Sequence, residues 1–135
     1  MNYIYITDED FINTVDYKEF MRINSGSGNL KIRAYAASEA LPVSGIRVIV
    51  STIINSNKVI FFEGVTDASG MIEDITLPAP KYDISSLEIP NSVDYEIDAI
   101  SEDGIDQIIY HINMYDGICA IQNINYTPNS FGGVV

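Results

Sequence analysis

The chain has 135 residues, with 7 Lys and Arg against 19 Asp and Glu, for a formal charge of −12. One domain of this length buries roughly two-thirds of the surface its unfolded form exposes, so neither a disulfide nor a metal is needed to hold it. The acidic field repels nucleic-acid phosphates and anionic lipid and makes both poor partners, so no nucleic acid and no membrane insertion are expected, and no apolar run approaches the about 18 residues of a membrane-spanning helix.

The first seven residues are followed by Asp8-Glu9-Asp10, the reverse of a basic-then-apolar secretory signal. The expectation is a chain that is cytoplasmic at synthesis, with no signal peptide, whose later place in a spore or an assembled particle stays open. Thr7-Asp8-Glu9-Asp10 is a weak capping box, and Phe11, Ile12, Val15 and Phe20 recur at roughly helical spacing. A short helix over residues 8–22 is predicted. Asn24-Ser25-Gly26-Ser27-Gly28 reads as a flexible joint, dividing an arm of residues 1–28 from a body of residues 29–127 and a loose tail of residues 128–135. The arm either packs on its own domain or docks on a neighbour.

β signals dominate the body. Leu30, Ile32 and Ala34 alternate with Lys31, Arg33 and Tyr35, which makes residues 29–36 a half-buried strand. Residues 46–54 follow, then a turn at Asn55-Ser56-Asn57 and a hairpin partner over residues 58–66, in which Phe61 and Phe62 supply bulk to both faces. A turn at Asp67-Ala68-Ser69-Gly70 leads to a short strand over residues 71–77. Pro78 and Pro80 then remove backbone donors and forbid a central strand, so residues 78–91 are predicted as a loop, either a binding loop or a crossover between sheets. Strands over residues 93–101, 107–114 and 118–126 complete a count of seven, the arithmetic of an all-β Greek-key sandwich.

The constellations of catalysis are sparse. His111 is the sole histidine and sits inside a predicted strand, as a surface residue or the partner of a carboxylate. Cys119, the sole cysteine, lies in the apolar run Ile118-Cys119-Ala120-Ile121 and reads as a small buried hydrophobe. Two such residues cannot make a zinc cluster, and Gly26-Ser27-Gly28 lacks the Gly-Lys-Ser/Thr of a phosphate loop. Carboxylates occupy several turns, namely Asp8 and Asp10, Asp67, Asp74, Asp103, Asp106 and Asp116, without the spacing of a calcium loop. No catalytic, cofactor or metal residue is assigned, no cofactor is expected, and the chain is expected not to be an enzyme.

Leu30-Lys31-Ile32-Arg33-Ala34-Tyr35, Leu41-Pro42-Val43-Ser44-Gly45, Thr66-Asp67-Ala68-Ser69-Gly70 and Asp94-Tyr95-Glu96-Ile97 together resemble the carboxypeptidase regulatory-like domain family over about residues 29–126. The resemblance implies a seven-stranded, transthyretin-like or immunoglobulin-like sandwich that accompanies enzymes, receptors or envelope proteins without chemistry of its own. Leu77-Pro78-Ala79-Pro80 is similar to copies in bacterial cell-wall and spore-associated proteins, whereas Ile105 stands where an aromatic often follows the glycine. A second resemblance is to collagen-adhesin B-type repeats, which implies an isopeptide bond from Lys31 to Asn123 or Asn125 assisted by Glu96. Pleat parity opposes that bond, since inward Leu30 and Ile32 turn Lys31 to solvent. The functional expectation is a non-catalytic interaction or assembly module of a bacterial envelope, spore or particle, working with a protein partner or by self-association. The alternatives are a small-ligand or calcium-binding accessory domain or a surface adhesin-type repeat.

Overall fold

The computed structural model describes residues 3–36 and 40–127, so the tail expected over residues 128–135 lies outside the described residues. The expected helix comes as two. Asp8 caps α1 (Glu9–Ile12), its Oδ1 accepting the amide of Asp10 at 2.9 Å, and Thr14 then interrupts the helix and caps α2 (Val15–Ile23), its hydroxyl accepting the amide of Tyr17 at 3.2 Å. Side chains that accept from free first-turn amides start new helices, which is why one amphipathic run is split.

The nine strands among the described residues are β1 (Tyr3–Tyr5), β2 (Gly26–Ala36), β3 (Leu41–Pro42), β4 (Arg47–Ile54), β5 (Asn57–Val65), β6 (Met71–Ala79), β7 (Val93–Ile100), β8 (Gln107–Met114) and β9 (Cys119–Asn125). They form a β-sandwich. One sheet has the order β1-β5-β4-β7-β8, and the other runs β3-β2-β6 with β9 on β2. The seven expected strands are all present; β1 and β3 are additions too short to carry a periodic signal. β1 joins β5 in parallel, Tyr3 opposite Lys58 and Tyr5 opposite Ile60. β9 joins β2 in parallel from Asn29 opposite Cys119 to Tyr35 opposite Asn125.

Leu30, Ile32, Val48, Val50, Ile75, Leu77, Tyr95, Ile97, Met114 and Ile124 meet between the sheets. Each fully buried aliphatic side chain among them contributes about 1.5–3 kcal/mol. A second cluster of Phe11, Ile54 and Val59, flanked by Tyr17 and Phe20, fixes the arm to its own sandwich.

Three local expectations are corrected. Gly26-Ser27-Gly28 is no joint but the start of β2, paired with Ala79, Pro78 and Leu77; a Cβ on Gly28 would stand 2.2 Å from Met114 Sδ and 2.6 Å from the Tyr115 carbonyl, so the glycines permit close packing. Phe61 and Phe62 do not serve both faces. The bulge between the Val50–Phe62 and Ser51–Ile60 pairs puts an extra residue in β5, and both rings pack on the core. Strand β6 also continues through Pro78 and Ala79 before the loop begins, which its position outside β2, with no strand beyond it among the described residues, allows.

Candidate functional site

The segment between β6 and β7 is an ordered loop held at its base. Asp116, in the β8–β9 turn, accepts the amide of Ser27 on Oδ1 and that of Tyr82 on Oδ2, each at 3.0 Å. These two amide donors hold its carboxyl below the usual aspartate range. Further along, Asp83 accepts the amide and hydroxyl of Ser85 at 3.0 and 2.6 Å, forming an Asx turn. Between and beyond these fixed points the loop turns its apolar side chains outward: Ile84 is 86%, Leu87 104% and Ile89 86% exposed. Such a concentration is unlike the scattered single apolar residues of an ordinary surface.

The acidic turns are occupied with local backbone. Asp67 Oδ1 accepts the amides of Ser69 and Met71, both at 2.9 Å. Asp103 Oδ1 accepts the Ser101 hydroxyl at 2.6 Å and the Ile105 amide at 3.0 Å, which lowers its pKa. Asp106 accepts the Tyr126 hydroxyl at 3.2 Å beside a cavity of about 380 Å³ floored by Ile46, Ala99 and Ile124. Asp74 sits at φ 62° within β6. Among the described residues, no three His, Cys, Asp or Glu side chains gather to hold a metal ion.

The outward face of the five-stranded sheet carries most of the charged pairs. Lys58 on β5 pairs with Glu96 on β7, with the two side chains only 16% and 22% exposed. The hydrogen bond to Glu96 raises the Lys58 pKa, and the ammonium lies 5.5 Å from the centre of the Tyr3 ring. Beside it Arg47 meets Glu63 at 2.7 Å, and Tyr5 donates its hydroxyl to Glu63 at 2.8 Å. The Tyr5 and Arg47 hydrogen bonds lower the Glu63 pKa. Gln107 donates to Asp98 at 2.8 Å.

The residues marked by sequence fall into separate places. His111 is an exposed β8 residue, its Nδ1 3.4 Å from Asp94 Oδ1. Cys119 is exposed rather than buried, a correction: in β9 the inward positions fall on Ala120 and Ile124, so alternation turns Cys119 and Ile121 outward. Lys31 points to solvent and meets Glu73 at 3.3 Å, across β2 from β6. Its register partner in β9 is Ile121, while Asn123 and Asn125 face Arg33 and Tyr35. Glu96 belongs to the other sheet and is held by Lys58, so the isopeptide constellation is not assembled. Sequence reasoning missed Asp116 as the loop's anchor, because an Asp-Gly pair signals a turn and nothing about what the carboxylate reaches.

No family model matches the chain, and no curated protein matches it by sequence. Solved structures do resemble it. The 5-hydroxyisourate hydrolase of Klebsiella pneumoniae is 14% identical with a TM-score of 0.45, over 73% of this chain and 92% of that one. Transthyretin from Sparus aurata is 16% identical with a TM-score of 0.46, over 73% and 91%. A catechol 1,2-dioxygenase from Acinetobacter is 11% identical with a TM-score of 0.41, over 98% of this chain and 52% of that one. Transthyretin-like sandwiches are thus among the structures this chain is similar to; the narrower carboxypeptidase regulatory-like label finds no match. The expectation that the chain is not an enzyme is corrected by the first of these, since a similar sandwich belongs to a hydrolase and the fold gives no ground for excluding catalysis.

Proposed function

We propose that the chain is an interaction module that docks on a protein partner through the loop between β6 and β7. The observation that carries this reading is the exposure of Ile84, Leu87 and Ile89 on a loop whose base is fixed by Asp116. A loop pinned at its base loses less backbone entropy on docking than a free one, so less of its apolar contact energy is offset by ordering. Charge selects the partner. With a formal charge of −12, a second copy of this chain is repelled, whereas an apolar groove with a basic rim is attracted and reached faster. Nucleic acid and membrane insertion are disfavoured on the same charge argument. The setting that belongs to this proposal is a bacterial envelope, spore or assembled particle, and docking through the loop leaves any chemistry elsewhere on the chain untouched.

The test is site-specific photo-crosslinking in the producing cell, with the reactive residue at Leu87 or, as control, at Ile121 on β9. A discrete adduct from position 87 alone, lost when Ile84 and Ile89 are both replaced by Ser, is the expected result. Equal adducts from both positions, or none from position 87, would overturn it. An adduct of twice the chain mass would replace the heterologous partner with a second copy.

A further inference from the structure

Among the described residues, the one buried side-chain polar atom without a hydrogen-bond partner is the Oγ of Ser51. Ser51 is 1% exposed. It lies in β4 opposite the bulge of β5, in a row of cross-strand neighbours that runs Tyr5, Ile60, Ser51, Glu96, His111 from one edge of the five-stranded sheet to the other. The adjoining row brings Tyr3, Lys58 and Ile53 together. Two depressions of about 280 and 220 Å³ open on this outward face, and Ser51 and Lys58 line both. A buried hydroxyl left unpaired carries a desolvation cost that calls for a partner. Here it sits beneath a long flexible lysine between two hollows.

The chemistry of the face limits what that partner is. Arg47 and Lys58 stand against Glu63, Asp94, Glu96 and Asp98 around the two depressions, so an anion meets net repulsion. A cation would have to displace Lys58 from Glu96, to which it is bound tightly enough to raise its pKa. A neutral ligand with several hydroxyls meets no net charge repulsion, and when Lys58 and Glu96 part for it, its hydroxyls can bond to both of them, where a cation would leave Lys58 without a partner. Each of its hydroxyls accepts from Lys58 or Arg47 and donates to a carboxylate, and Ser51 does either. Tyr3 and Tyr5, 67% and 51% exposed, in one depression and Ile53, across Lys58 from Tyr3, in the other offer apolar faces for the C–H side of a sugar ring. We propose that this face binds a saccharide, with the Ser51 hydroxyl at the floor of the site and the Lys58–Glu96 pair moving aside to admit it.

The experiment is a proton–nitrogen correlation titration of the full chain with glucose, N-acetylglucosamine, cellotetraose and chitotetraose. Saturable shifts at the amides of Ile49, Ser51, Lys58 and Glu96 are expected with at least one of them. Whether the monosaccharide or the oligosaccharide acts identifies a free sugar or a glycan chain as the source. Ser51→Ala is expected to weaken that binding by roughly tenfold while raising the ligand-free Tm by about 2–4 °C, because it removes a desolvated group that has no partner. Arg33→Ala, on the other sheet, is expected to leave the binding unchanged. No saturable shift on this face with any of the four sugars, unaltered affinity in Ser51→Ala, or a lowered Tm in that variant would each overturn the proposal.

Discussion

Tyr95 is the largest of the fully buried side chains, and it connects the two sheets by polar as well as apolar contact. From β7 its hydroxyl donates to the Pro78 carbonyl of β6 at 2.6 Å, and its ring stands edge-on to Phe61 at 5.4 Å. Burial pushes the phenol pKa well above its ordinary value of 10.0. The folded chain therefore holds that proton more tightly than the unfolded chain does, so the contribution is complete below about pH 10 and is lost as the pH rises above it. One of the nine tyrosines is expected to ionise only together with unfolding, read as near-ultraviolet tyrosinate absorbance followed against circular dichroism. Tyr95→Phe orphans the Pro78 carbonyl and is expected to cost about 1–2 kcal/mol in denaturant unfolding. An unchanged midpoint would mean that water replaces the phenol there.

Among the elements, the first turn of β2 shows how close packing hides behind turn-like composition. Gly26→Ala would bring a Cβ within 2.5 Å of the Asp116 carboxylate, and Gly28→Ala within 2.6 Å of the Tyr115 backbone carbonyl. Gly28→Ala is expected to destabilise by about 1–3 kcal/mol, measured by thermal unfolding, and to broaden the amide signals of Tyr82 and the β8–β9 turn. A neutral outcome would restore the reading of these residues as a joint. The seven longer strands were legible because their alternation is strong, as in Leu30, Ile32 and Ala34. The prolines of the β6–β7 loop likewise marked the segment that carries the exposed Ile84, Leu87 and Ile89. What stayed hidden depends on long-range register: Gly28 against Met114, Lys58 beside Glu96, and the bulge that turns Phe61 inward. Cys119 was misplaced because an apolar run says nothing about which of its residues faces the core.

Considered as a whole, the molecule is a sandwich stapled from outside by its own arm. Strand β1 extends the five-stranded sheet beside β5, and Phe11, 5% exposed, covers Ile54 and the fully buried Val59. Phe11→Ala is expected to cost about 3–5 kcal/mol and to expose Val59, read as a lower denaturant midpoint. An unchanged midpoint would show that the arm leaves the sandwich in solution. The parallel ladder between β2 and β9 has a further effect, on the order in which the chain can fold. β2 pairs along one edge with β6, but its other edge waits for residues 119–125, the latest in chain order of the described strands. Completing the sandwich therefore belongs to the slow regime of non-local pairing, about milliseconds to seconds. A nascent chain stalled before Cys119 presents an open strand edge to every other copy nearby, the arrangement from which aggregation starts.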